Sequence, residues 1–141
     1  MKFWDTSAII TLITEEPSRE RLLEVLSEDP EVLIWWGTSI EVAAALARRE
    51  RERVLTAQEV EAALDATHQL VDSWHEIVPS AQVRRTAERL LRLHALRASD
   101  SVQLAAAVIA SDHDPATLEV VCLDTRLAAA ARREGFRVVG A

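Results

Sequence analysis

The sequence predicts an α/β fold in which a central, mainly parallel sheet of about five short strands lies between layers of helices. Short apolar runs alternate with segments of helical periodicity in the order βααβααβααβαβ. Helices between successive strands act as crossover connections, which join parallel strands. Residues 32–36 are apolar at every position, as in strands buried on both faces. These observations together favour helices on both sides of the sheet.

Each predicted element has a local signal in the sequence. Apolar runs bounded by turn residues predict five strands, over residues 2–4, 32–36, 76–78, 119–123 and 136–139. Apolar residues at helical spacing predict the helices, over residues 7–13, 17–28, 38–49, 56–74, 80–94, 100–110 and 126–134. The expected N-caps are Thr38, Thr56, Ser80 and Ser99. Glu41 and Glu59 complete capping boxes, and Gly135 ends the last helix.

Composition limits the class of protein. Of the 141 residues, 49% are hydrophobic and 28% charged, which is typical of one soluble globular domain over residues 1–141. No apolar stretch approaches the ~20 residues that cross a bilayer. An acid at Asp5 leaves no room for the apolar core of a signal peptide. Because Cys122 is the single cysteine, we expect a reducing, cytoplasmic setting without membrane contact.

The net charge of −7 argues against a protein that coats nucleic acid through a basic surface. That argument weakens if several of the acids surround a bound cation, since the cation reverses the local field. Four acids have positions that fit this idea. Asp5 and Asp124 directly follow predicted strands, while Glu41 and Asp100 lie at helix starts. In parallel α/β sheets these positions meet at the edge where ligands bind.

Each acid alone has a structural explanation as a helix cap or turn residue. Such a role stabilises the fold by about 1 kcal/mol or less. Together, four neighbouring carboxylates repel one another strongly unless a cation lies among them. Hard oxygen ligands favour Mg²⁺, with Mn²⁺ as the alternative. The four acids therefore predict a magnesium site at this edge of the sheet.

Other chemistries lack a supporting pattern. The four histidines form no HExxH motif or Cys/His pairing, so a zinc site is not expected. No GxGxxG or Walker A loop is present. Residues 5–7 lack the second Asp of a DxD nucleophile motif, which disfavours an aspartyl-phosphate phosphatase. Trp35 and Trp36 precede the helix of Glu41, and each either packs in the core or stacks on an unpaired base.

Four segments resemble the motifs of PIN-domain nucleases, and among these the VapC-like toxins of toxin–antitoxin pairs: KFWDTSAII, TSIEVAAALARR, LRASDSVQLAAAVIA and VVCLDTRLAAAARREGFRVV. The resemblance spans the whole chain and implies a PIN-like three-layer fold. It implies four catalytic acids, Asp5, Glu41, Asp100 and Asp124. Of these, Asp5 and Asp100 bind Mg²⁺, with Glu41 and Asp124 binding it directly or through water.

The resemblance also assigns supporting roles. Thr6 and Ser7 are the hydroxyl neighbours that hold a carboxylate in place. Cys122 stands where the fourth motif often has Thr or Ser, and cysteine is a weaker hydrogen-bonding residue. Trp4 is bulkier than the aliphatic residue that usually precedes the first acid. Neither departure removes a carboxylate.

The function implied by the resemblance is Mg²⁺-dependent endoribonuclease activity, in which metal-activated water cleaves an RNA phosphodiester. It further implies a cytoplasmic homodimer and a cognate antitoxin that blocks the site. The alternative function is that of a non-catalytic PIN-like module for binding or assembly. The complete set of four acids disfavours this alternative, because a degenerate site usually loses some of them.

Overall fold

The computed structural model describes residues 1–14 and 16–140. Glu15 and Ala141, which the single-domain prediction includes, lie outside the described residues. The strands are β1 (Lys2–Trp4), β2 (Val32–Trp35), β3 (His75–Ile77), β4 (Glu119–Cys122) and β5 (Arg137–Gly140). The helices are α1 (Thr6–Ile13), α2 (Arg19–Glu28), α3 (Thr38–Arg51), α4 (Ala57–Ser73), α5 (Ala81–Leu93), α6 (Ala98–Ala110) and α7 (Thr125–Arg133), with a 3₁₀ turn at Pro115–Thr117. The predicted element order is confirmed.

The five described strands form one sheet in the order β3-β2-β1-β4-β5, and all of their pairings are parallel. The chain runs from β1 to β2 and β3 on one side, and then returns to β4 and β5 on the other. The direction of the strand order therefore reverses between β1 and β4. Ligands of open α/β sheets bind at the carboxyl ends of the strands at such a reversal. Asp5 and Asp124 directly follow these two strands.

The sheet separates two hydrophobic cores. Phe3 of β1 faces the core formed with α5, α6 and α7, whereas Trp4 faces the core formed with α1 to α4. Both side chains are at most 1% exposed, and burial of each contributes about 3 kcal/mol. Helix α6 packs closely on the sheet because its middle consists of small residues, the fully buried Ala105, Ala106 and Ala107. This packing sets the position of the acid at the start of α6.

The predicted capping box at the start of α3 is wrong. Gly37 is the N-cap of this helix, so Thr38 is its first residue and Glu41 lies one position too late to reach the cap. The side chains of Thr38 and Glu41 instead form hydrogen bonds with residues distant in sequence. The Thr38 hydroxyl accepts a hydrogen bond from Nε2 of Gln103 at 3.0 Å, and the Glu41 carboxylate accepts one from Thr6.

Other boundaries differ from the predictions by one or two residues. Helix α6 begins after Arg97, so Ser99 lies in its first turn and is not its N-cap. Helix α2 begins at Arg19, because Ser18 accepts its first helical hydrogen bond, and not at Pro17. The capping box of Thr56 with Glu59 and the N-cap of α5 at Ser80 are confirmed. Among the described residues, no helix is both long enough and apolar enough to span a membrane.

Candidate active site

Asp5 lies at the end of the central strand and is only 4% exposed. Its backbone N–H donates to the carbonyl of Val121 at 3.0 Å, which extends the pairing of β1 with β4. Its Oδ2 accepts from the backbone N–H of Ser7 at 3.1 Å and from the Ser7 hydroxyl at 2.6 Å. Burial raises the pKa of Asp5 above its usual value, although the hydrogen bonds from Ser7 act in the opposite direction. The ionised carboxylate is therefore destabilised unless positive charge lies nearby.

Ser7 connects Asp5 to the end of β4. Its hydroxyl oxygen accepts from the backbone N–H groups of Leu123 at 2.9 Å and of Asp124 at 3.3 Å, while it donates to Asp5. The thiol of Cys122 also donates to Oδ2 of Asp5, at 3.5 Å. Burial raises the pKa of this thiol, and the negative charge of Asp5 raises it further. Cys122 is thus buried and acts here as a neutral hydrogen-bond donor.

Glu41 projects from α3 and is held by side chains from two other helices. The Thr6 hydroxyl donates to Oε2 of Glu41 at 2.8 Å. Gln103, which is 1% exposed, directs its Nε2 at the same carboxylate oxygen. That nitrogen also lies 2.7 Å from the Thr6 hydroxyl and 3.0 Å from the Thr38 hydroxyl. Sequence reasoning missed Gln103, although it is the one amide side chain in α6.

Glu41, Asp5 and Asp100 form one electrostatic group, here called the acid cluster. Burial raises the pKa of Glu41, and the charges of Asp5 and Asp100 raise it further. The Asp100 side chain is 13% exposed, and its Oδ2 lies 3.5 Å from Nε of Arg97. Asp5 and Asp100 are therefore close enough to Glu41 for their charges to disfavour its ionisation.

Asp124 stands at the margin of the acid cluster. Its Oδ1 accepts from the backbone N–H of Leu127 at 2.9 Å, so it is the N-cap of α7. It also lines a polar cavity of about 420 Å³, here called the arginine cavity, whose lining residues are Arg97, Leu123, Asp124, Thr125 and Arg126. Asp124 thus serves the helix-capping role that the sequence left open, and so does Asp5, the N-cap of α1.

The acid cluster does not form a finished ligand shell. Within residues 1–14 and 16–140, no three His, Cys, Asp or Glu side chains have an arrangement that could hold a metal ion. Ser7 holds Oδ2 of Asp5, and Thr6 and Gln103 hold Oε2 of Glu41. The second oxygen of each carboxylate lies outside these hydrogen bonds.

The two neighbouring tryptophans have different environments. Trp35 packs against the core beside α5 and α6, where it lines an apolar groove of about 360 Å³. Trp36 is 49% exposed, and the nearby Ile40 is 59% exposed. Both exposed side chains belong to the segment between β2 and Glu41. An aromatic side chain is therefore available to solvent five residues before Glu41 in the chain.

Two curated relatives from Mycobacterium tuberculosis match the chain over nearly its full length. They are Ribonuclease VapC45 from strain CDC 1551 / Oshkosh and Ribonuclease VapC49 from strain ATCC 25618 / H37Rv. Each is 33% identical over 142 aligned residues, which cover 99% of this chain and 94% of the relative. The chain belongs to the VapC family. No protein-family model matches it. The resemblance to VapC-like PIN-domain proteins is thereby confirmed.

Solved structures show where the VapC fold recurs. A toxin–antitoxin complex from Klebsiella pneumoniae includes a chain with 19% identity and a TM-score of 0.68, covering 99% of this chain and 96% of that one. FitAcB from Neisseria gonorrhoeae has 18% identity and a TM-score of 0.71, with coverages of 98% and 96%. VapBC2 from Rickettsia felis, bound to a promoter DNA fragment, has 12% identity and a TM-score of 0.67, again with coverages of 98% and 96%. These likenesses confirm the predicted three-layer α/β fold.

Proposed function

We propose that this chain is a Mg²⁺-dependent endoribonuclease that cleaves RNA phosphodiesters with water as the nucleophile. The observation that carries the proposal is the acid cluster, which lies at the ligand-binding edge of the sheet. The names of the two VapC relatives support RNA as the substrate. Burial raises the pKa of Asp5 and of Glu41, and the charges of Asp5 and Asp100 raise that of Glu41 further. Placing these acids together at neutral pH lowers stability, which favours a functional role.

The donor set fits a hard divalent cation. Asp5, Glu41 and Asp100 supply carboxylate oxygens, which Mg²⁺ and Mn²⁺ bind in preference to nitrogen or sulfur. A cation would offset the repulsion and the burial that raise the pKa of Glu41. Oε1 of Gln103 is an additional buried oxygen without a hydrogen-bond partner among the described residues. Asp5 and Asp100 would hold the ion, with Glu41 and Asp124 binding directly or through water.

In this mechanism a bound Mg²⁺ supplies a more acidic water and stabilises negative charge on the leaving oxygen. The chain's own residues keep the carboxylates in place. Ser7 and Cys122 hold Asp5, so that its free oxygen keeps a defined direction. Thr6 and Gln103 do the same for Glu41. Such preorganisation lowers the reorganisation needed when charge develops in the transition state.

We further propose that the chain is the toxin of a toxin–antitoxin pair, acts as a cytoplasmic homodimer and is blocked by a cognate antitoxin. Support for the antitoxin comes from the fold neighbours, since the Klebsiella pneumoniae structure is itself a toxin–antitoxin complex. The net charge of −7 suits a basic antitoxin segment at the acid cluster. Co-expression with the adjacent reading frame, followed by co-purification, tests this partner.

The first test is cleavage of a mixed cellular RNA pool by the purified chain. With Mg²⁺ we expect discrete fragments, which disappear in EDTA and with Asp100→Asn, because both changes remove the proposed ion or its ligand. Asp65→Asn, at an exposed position of α4, is the matched control and should cleave like the wild type. If the protein is folded but the RNA stays intact with Mg²⁺, with EDTA and with both variants, the non-catalytic binding module would be favoured.

A second expectation concerns the exposed aromatic side chain. Trp36→Ala should weaken binding of single-stranded RNA by about 1–3 kcal/mol, the value of one base stacked on an aromatic ring. Its Tm should change little because half of the side chain already faces solvent. Val54→Ala, at another exposed apolar position, should leave RNA binding unchanged. Equal RNA affinity of Trp36→Ala and wild type, measured by fluorescence anisotropy, would contradict base stacking at this position.

A further inference from the structure

The arginine cavity lies directly beside the acid cluster. Arg97 and Arg126 line it together with Asp124. The link to the acid cluster is Arg97, whose Nε lies 3.5 Å from Oδ2 of Asp100. The Arg97 side chain is 73% exposed, so most of its guanidinium faces solvent. Two cationic side chains therefore border an open cavity at the edge of the proposed active site.

Helix stability does not explain these two arginines. Arg97 is the N-cap of α6 but makes no capping hydrogen bond, because arginine has no side-chain acceptor. Arg126 lies in the first turn of α7. A positive side chain near a helix N-terminus opposes the helix dipole and lowers stability by about 0.3–1 kcal/mol. Ser or Asp would stabilise the N-cap position better, and Asp or Glu would stabilise the first-turn position better.

Intramolecular pairing does not explain them either. Across residues 1–14 and 16–140, Arg126 has no hydrogen bond or ion pair. The single ion pair of Arg97, to Asp100, is long and involves Nε. The guanidinium groups thus retain donors for a ligand, and the planar fork of arginine suits the oxygens of a phosphate.

We propose that Arg97 and Arg126 bind a phosphate of the RNA backbone that neighbours the scissile one. This inference rests on the proposed function, which places the scissile phosphate at the acid cluster. The arginine cavity lies next to that cluster through the Arg97–Asp100 contact. Because the chain carries a net charge of −7, RNA reaches the acids only if local positive charge offsets the repulsion. The two arginines supply that charge and fix the position of the strand.

The test measures binding of a short single-stranded oligoribonucleotide of mixed sequence at several NaCl concentrations. It uses an Asp5→Asn background, in which the proposed function allows no cleavage. Each lost phosphate contact lowers the slope of log Kd against log[NaCl] by ~0.7 for single strands. The double variant, which loses the one phosphate that the two arginines share, is expected to lower the slope by ~0.7, and Arg126→Gln and Arg97→Gln are each expected to lower it by part of this amount.

The matched control is Arg133→Gln. Arg133 is exposed at the opposite end of α7, about 10 Å along the helix axis from Arg126. The Arg133→Gln substitution removes one positive charge, as the other two substitutions do. It should leave the slope of log Kd against log[NaCl] equal to that of the Asp5→Asn parent. An equal loss of slope in this control would overturn the inference, because it would show a diffuse charge effect.

Two further outcomes would overturn the inference. One is an unchanged slope in both Arg97→Gln and Arg126→Gln, with a Tm equal to that of the parent. The other is an unchanged RNA slope together with lost binding of a polyglutamate peptide, which would assign the cavity to an acidic protein partner. Failure of the proposed function is distinguishable from these results, since the unmodified chain would then leave RNA intact with Mg²⁺ whatever the slope.

Discussion

Asp5→Asn is expected to abolish RNA cleavage and, without metal, to raise the melting temperature at neutral pH. Asp5 is the most deeply buried of the four acids and lies at the end of the central strand. Losing a ligand of a catalytic metal removes several kcal/mol of transition-state stabilisation. Since 1.36 kcal/mol corresponds to tenfold in rate, we expect a loss of at least about a thousandfold.

The stability change has the opposite sign because burial raises the pKa of Asp5. A carboxyl group whose folded-state pKa exceeds its unfolded value binds its proton more tightly in the native state. Its contribution to the free energy of unfolding therefore falls as pH rises from the usual aspartate pKa through the raised one. Asparagine carries no charge at any pH. The variant should be more stable than wild type at neutral pH, and the difference should shrink on acidification through that window.

Thermal unfolding without Mg²⁺ measures the change in stability, and thermal unfolding with Mg²⁺ measures whether the variant still binds the ion. Saturating Mg²⁺ should raise the melting temperature of the wild type, since a ligand at 100 times its Kd adds about 2.7 kcal/mol. Asp5→Asn should lose most of this gain, whereas the exposed Asp65→Asn should keep it. A variant that still cleaves RNA would remove Asp5 from the active site. One that is less stable than wild type at neutral pH would contradict the electrostatic argument.

Gln103→Met is expected to lower kcat by about 10–100-fold, the usual effect of losing a residue that orients a metal ligand. Methionine is close to glutamine in length and flexibility, so the core around α6 keeps its packing. The Glu41 carboxylate, however, loses the donor that α6 directs at it. The Thr6 hydroxyl remains as the other donor to Glu41, so the position of the carboxylate is loosened and its charge is kept.

Separate readouts distinguish positioning by Gln103 from a purely structural role. A structural role would lower the melting temperature and leave kcat and the Mg²⁺ affinity of the folded protein unchanged. Positioning would weaken Mg²⁺ binding and lower kcat, while KM for RNA stays close to the wild-type value. Gln69→Met, on the exposed face of α4, should behave as wild type in all of these measurements. Wild-type kcat in Gln103→Met would contradict the positioning role.

Much of the architecture is predictable from the sequence because its signals are local. Apolar periodicity correctly predicts the order of strands and helices, and parallel pairing follows from the helical crossovers. The positions of the acids at strand ends and helix starts follow from the predicted elements. Parallel topology brings these positions to one edge of the sheet. The capping box of Thr56 with Glu59 is a local contact and is predicted correctly.

The sequence by itself therefore determined the α/β fold and the family, and it placed four acids at strand ends and helix starts. Only the tertiary structure decided how those acids are held. Gln103 reaches Glu41 and Thr38 across 62 and 65 residues of sequence, and this contact replaces the expected capping box. The structure also makes Asp124 the N-cap of α7 at the margin of the acid cluster, and it places Arg97 and Arg126 in the lining of one cavity. Such pairings depend on helix packing over the sheet, which periodicity and spacing do not encode.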